Sequence, residues 1–105
     1  MDLNEFSKDV HANAVLHGFW TDDKHVPEII ALCHSELSEA LEEYRNDKPM
    51  LYIENGKPEG IGIELMDCII RILDYCEYMH FDVETALKMK HEYNITRPWK
   101  HGKKI

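Results

Sequence analysis

An all-α fold, a bundle of four helices, is expected from three features of the sequence. The stretch Ile61–Met79 is apolar around most of its circumference and about five helical turns long. A second segment, from Pro27 to about Asn46, repeats apolar residues at helical spacing. Two further segments open on good helix caps, Asp2 and Asp82, and apart from one loop the links are short.

Asp2-Leu3-Asn4-Glu5 has the capping-box form, so the first helix starts near Leu3 and stops at Gly18. Phe6, Val10, Asn13 and His17 share one side of it. Phe19-Trp20 follows, then a polar connection, Thr21-Asp22-Asp23. Pro27 suits the first turn of the second helix, with Glu28 favourable near its positive end. Ile30, Cys33, Leu37, Ala40, Leu41 and Tyr44 form its apolar stripe, and Glu36, Glu39 and Glu43 flank that stripe. Residues 47–60 hold two prolines and two glycines and read as a loop, with at most a short extended piece at Met50–Glu54. After the central helix, His80-Phe81 is a tight link and Asp82 caps a fourth helix to about Ile95, with Pro98 beyond its end. The tail from Trp99 reads as irregular and basic.

With 105 residues, 44% hydrophobic and 30% charged, residues 1–105 read as one globular domain. Burying the central helix on all sides calls for a second subunit. The net charge of −8 argues against a nucleic-acid polymer as partner. That charge is uneven. Lys88, Lys90, Arg97, Lys100, Lys103 and Lys104 face Glu92 alone in residues 88–105, a net +5 that leaves −13 on the rest. Such a division suits a polyanionic ligand held through metal ions. Cys33, Cys68 and Cys76 sit on apolar faces without metal-type spacing, as core thiols of a reducing compartment do. No signal peptide or membrane span is visible, so a cytoplasmic protein is expected.

On the central helix, Glu64, Asp67, Arg71 and Asp74 recur at steps of three, four and three, one narrow charged stripe. A charged stripe is most often a helix's solvent face. The second helix, however, carries Glu36 and Glu39 at the same three-residue step. Two helices each offering two carboxylates can build one oxygen-rich pocket. At 4 Å a like-charge pair costs about 1 kcal/mol in water and about 4 kcal/mol at an effective dielectric of 20. Protons or cations must therefore neutralise such a group. An all-oxygen set fits Mg²⁺ or Mn²⁺ better than zinc, and neither acidic pair has a His at the step that the Glu-x-x-His signature of a di-iron centre needs. Lys90, Asn94 and Arg97, at steps of four and three, are either solvated or phosphate donors opposite the metals. Asn13, His17 and Trp20 can hydrogen-bond to or stack on a base; the plainer alternatives are a polar surface edge and a core aromatic.

Glu36-x-x-Glu39 followed by Glu64-x-x-Asp67 resembles the acidic signature of the MazG-like all-α nucleoside triphosphate pyrophosphohydrolases. Lys90-x-x-x-Asn94-x-x-Arg97 is similar to the phosphate-side motif in parts of that superfamily, including dimeric dUTPases. The resemblance spans about 36–104. It implies a MazG-like four-helix bundle assembled as a dimer or dimer of dimers, a homodimer or homotetramer. It also implies Mg²⁺-dependent cleavage of a nucleoside triphosphate to the monophosphate and pyrophosphate, in nucleotide-pool house-cleaning. Glu36, Glu39, Glu64 and Asp67 would hold the metal, and one of them would orient or deprotonate the attacking water. Lys90 and Arg97 would steady phosphate oxygens, and Asn94 phosphate or sugar. The competing expectation is a non-catalytic helical module that binds a nucleotide or a protein partner.

Overall fold

A computed structural model describes residues 1–21 and 26–104; Asp22 and Asp23 of the polar connection lie outside the described residues. The chain is mostly helical. Its elements are α1 (Leu3–Leu16), α2 (Val26–Arg45), β1 (Tyr52–Glu54), β2 (Lys57–Glu59), α3 (Ile61–Tyr78) and α4 (Val83–Ile95).

The helix ends follow local chemistry. Asp2 accepts the Glu5 N–H at 3.1 Å, and Asp82 accepts the Thr85 N–H at 3.1 Å, each satisfying a donor that the first turn leaves free. Gly18, at φ 82°, ends the turn after α1. The tail turns through Trp99–Gly102, with Lys100 and His101 at positive φ, so it does not continue a helix.

The loop expected at 47–60 contains a hairpin. β1 and β2 pair antiparallel, Tyr52 opposite Glu59 and Glu54 opposite Lys57. Asn55 (φ 54°) and Gly56 (φ 80°) form the two-residue connection that matches the strand twist. The hairpin is tied to α3 at Gly60, whose φ of 124° suits only glycine. A Cβ there would lie 2.5 Å from the Met50 carbonyl oxygen. This close approach lets the N–H groups of Ile61 and Gly62 donate to Pro49 and Met50, at 3.2 and 2.9 Å. The first turn of α3, and Glu64 with it, is thereby fixed against the hairpin.

α3 is central, packed on α2 along one side and α1 on another. Ile29 and Ala40 of α2, Cys68 and Leu73 of α3, and Val83 of α4 are the buried apolar side chains among the described residues. α4 rests on α1 and forms no comparable interface with α2 or α3. The joint is made by Asn4. Its amide oxygen accepts the N–H groups of Val83 (3.1 Å) and Glu84 (3.3 Å), and its amide nitrogen donates to Asp82 (2.9 Å).

The stripe expected on α2 meets the core only along one edge, through Cys33 and Ala40. Ile30, Leu37, Leu41 and Tyr44 are exposed, whereas Ile29, Glu36 and Ala40 are buried and Leu32, Cys33 and Glu43 half-buried. The inward face is rotated by about 90° from the stripe, at 100° per residue. α2 is apolar on two sides, and the buried ion pair from Glu36 to Arg71 selects the one that meets α3.

Candidate functional site

The charged stripe of α3 faces inward. Glu64, Asp67, Arg71 and Asp74 are all half-buried, while Ile69 and Ile72 remain 43% and 45% exposed. That inverts the usual arrangement and excludes the solvent-face explanation for these four residues.

Across the α2–α3 interface the predicted acids come together. Oxygens of Glu36, Glu64 and Asp67 lie within 4.8 Å of one another, as do oxygens of Glu43, Glu59 and Glu64. Glu64 belongs to both sets. Glu39, exposed, is hydrogen-bonded to Glu64 and borders a shallow cleft with Glu42 and Glu43. Glu59 comes from the hairpin and Glu43 from α2; Glu43 also accepts the Tyr52 hydroxyl at 3.1 Å. Glu59 was not singled out in the sequence. The signal for it was Asn55-Gly56, which marks a hairpin and so returns the chain to the acids.

The electrostatics are those of a cluster short of positive charge. Burial first, then the shared proton and charge of Glu39 and the charges of Asp67 and Glu36, push the Glu64 carboxyl up to about 7. Asp67 is raised by burial and by Glu36, with Arg71 and Lys57 opposing. Arg71 donates from Nε to Glu36 Oε1 at 2.8 Å, and Lys57 Nζ lies 3.1 Å from Glu59 Oε1. Glu36, buried, has in Arg71 the partner that a charge out of water requires. The donor set, all oxygen and with more negative than positive charge, fits a hard divalent cation.

Beside the acids lies a cavity of about 270 Å³ between α1, α2 and α3. Glu36, Asp67 and Arg71 form the wall it shares with the cluster; Asn13, Phe19 and Asp74 line it elsewhere. Trp20 borders a small neighbouring pocket instead. Its indole N–H donates to Asp74 at 3.0 Å, and its ring stacks on Tyr78 with centroids 4.2 Å apart. His11 Nδ1 completes that group, 2.7 Å from Asp74 Oδ1. Within the chain Trp20 thus holds the α1 end of the bundle together. His17 bonds back to the Asn13 carbonyl at 2.8 Å and is exposed.

Lys90, Asn94 and Arg97 are not brought to the acids within one chain. Lys90 Nζ and the Arg97 guanidinium lie 5.0 and 5.7 Å from the Tyr93 ring centroid, and Arg97 donates to the His101 carbonyl. Asn94 Oδ1 is buried without a hydrogen-bond partner. The thiols of Cys33 and Cys76 are pushed up by burial, as core thiols are. No helix of the described residues is long and apolar enough to cross a membrane. The chain matches no family model, no curated protein and no solved structure.

Proposed function

We propose that this chain is a MazG-like, Mg²⁺-dependent nucleoside triphosphate pyrophosphohydrolase, cleaving a (d)NTP to the monophosphate and pyrophosphate. The observation that carries the reading is the convergence of Glu36, Glu64 and Asp67 from two helices on one small volume, with Glu39 hydrogen-bonded to Glu64. A helical scaffold has no use for that repulsion, and a triphosphate enzyme does. Glu36, Glu64 and Asp67 hold Mg²⁺ (or Mn²⁺), and Glu43 and Glu59 extend the set around Glu64. The metal supplies charge neutralisation for the triphosphate and acidity to bound water.

The residues of the chain do the rest. Glu39, the exposed acid at the cleft, orients or deprotonates the attacking water. Asn13 lines the cavity that continues from the acids, and its amide offers both a donor and an acceptor to a base seated there. Lys90 and Arg97, with Asn94, hold phosphate oxygens. The protein works as a homodimer or homotetramer, in the cytoplasm, in house-cleaning of the nucleotide pool.

The test is pyrophosphate release from a panel of canonical and modified ribo- and deoxyribonucleoside triphosphates, with and without Mg²⁺. Release that requires Mg²⁺ and is confined to a subset of triphosphates supports the reading. A folded protein that releases none on any substrate is instead the non-catalytic binding module.

A further inference from the structure

Two cations act on Asp67, Arg71 and Lys57, and they are held in different ways. Arg71 lies on α3 itself, half-buried, with its Nε on Glu36. Lys57 comes from the hairpin, and its side chain is 75% exposed. Its Nζ lies 3.1 Å from Oε1 of Glu59, a carboxylate only 18% exposed. Glu59 belongs to the cluster, so the ammonium stands over the acids from the solvent side. It is held above the ordinary lysine range, first by the hydrogen bond to Glu59 and that carboxylate's charge, then by the charges of Glu64 and Asp67.

The register of the hairpin puts Lys57 there. Tyr52 pairs with Glu59 and Glu54 with Lys57, so these four side chains share one face. The Tyr52 hydroxyl donates to Glu43 and Glu59 approaches Glu64, so that face is the one turned to the acids. Ile53 and Pro58 occupy the other face, and a slip of one residue would bring Pro58 to the acids in place of a cation. Glu59 is held in place whatever its partner does, because Gly60 beside it is closed on the Met50 carbonyl.

Lys57 is also the more replaceable of the two cations. An exposed pair to a single oxygen is weak, and the lysine ammonium is a point charge on a flexible stem, without arginine's rigid fork. A divalent ion among Glu43, Glu59 and Glu64 offers the same carboxylate twice the charge. We propose that Lys57 is a built-in stand-in cation: it holds Glu59 until a divalent ion takes that carboxylate, and then turns its ammonium to the phosphate oxygens of the triphosphate. The phosphate contact rests on the pyrophosphohydrolase reading; the exchange at Glu59 does not need it.

Amine acylation of the whole protein at pH 8, read at Lys57 by mass spectrometry, follows both steps. Mg²⁺ should raise the Lys57 rate about two- to five-fold over chelator, the range that an exposed ion pair allows. Adding an α,β-methylene triphosphate with Mg²⁺ should return it to the slow rate. Glu59→Gln should start fast and respond less to Mg²⁺. Lys57→Met, with circular dichroism unchanged, should bind Mn²⁺ about two- to five-fold more tightly. The same variant should raise KM for the triphosphate about ten-fold at saturating Mg²⁺. A loss of structure would not move the two in opposite senses. A Lys57 rate blind to Mg²⁺ in a protein that takes up Mn²⁺, an equal response in Glu59→Gln, or unchanged or weaker Mn²⁺ binding in Lys57→Met overturns the stand-in role. Unchanged KM, or no protection by the analogue, in an active enzyme overturns the phosphate contact. A wild type that takes up Mn²⁺ but releases no pyrophosphate overturns the enzymatic reading instead, and the Mg²⁺ response still decides the role of Lys57 at rest. No Mn²⁺ uptake at all overturns both.

Discussion

Replacing Glu64 by glutamine should stabilise the metal-free protein above neutral pH. The Glu64 carboxyl titrates at about 7 against an ordinary 4.5, a difference that corresponds to about 3 kcal/mol. The side chain is half-buried, so solvent screening reduces the usable figure to about 2 kcal/mol. The sign follows from proton binding. Below about pH 4.5 folded and unfolded chains both hold the proton, and nothing is lost. Between pH 4.5 and about 7 the unfolded chain releases it while the folded chain keeps it, so stability falls, and beyond about 7 the loss is constant. Glutamine keeps the shape and the hydrogen bond to Glu39 without the charge. Thermal unfolding at pH 8 in chelator should therefore show Glu64→Gln melting about 8 °C above wild type, with no difference at pH 4.5. Added Mg²⁺ should raise the wild-type Tm and leave the variant nearly unmoved. A variant that melts at or below wild type at pH 8 would refute the crowding of negative charge around Glu64.

Three further outcomes are expected. Asp67→Ala and Glu39→Ala should each lower pyrophosphate release at least 100-fold with circular dichroism unchanged, a loss of about 3 kcal/mol or more in the transition state; retained turnover removes that residue from the site. Arg71→Met leaves the buried Glu36 without its 2.8 Å partner and should cost about 2–4 kcal/mol in urea titrations at pH 8; an unchanged stability would mean the ion pair does not hold α2 on α3. Gly60→Ala combines a positive φ with a Cβ 2.5 Å from the Met50 oxygen and should lower stability by about 2 kcal/mol or more; a neutral result would show that the hairpin can move off α3.

What the sequence made legible was local. Helix starts at Leu3 and Val83 follow from Asp2 and Asp82, whose carboxylates act within three residues. The pairing of acids was also legible, because residues three apart on a helix share a side whatever it packs against. The face of α2 was legible only in part, at Cys33 and Ala40. It is apolar on two sides, and only the long-range pairing of Glu36 with Arg71 decides between them. The hairpin was obscured because its strands are three residues each and one holds Pro58, although Asn55-Gly56 announced it. The course of α4 was hidden because Asn4, about eighty residues away in sequence, sets it.

The most direct measurement of the shared cation site is a titration with Mn²⁺ followed by electron paramagnetic resonance at pH 8. The wild type should take up Mn²⁺ saturably, Mg²⁺ should displace it, and Asp67→Asn and Glu64→Gln should each lose most of the uptake. Wild-type and variant proteins that leave the free Mn²⁺ signal equally undiminished would mean that the acids of α2 and α3 share a space without sharing an ion.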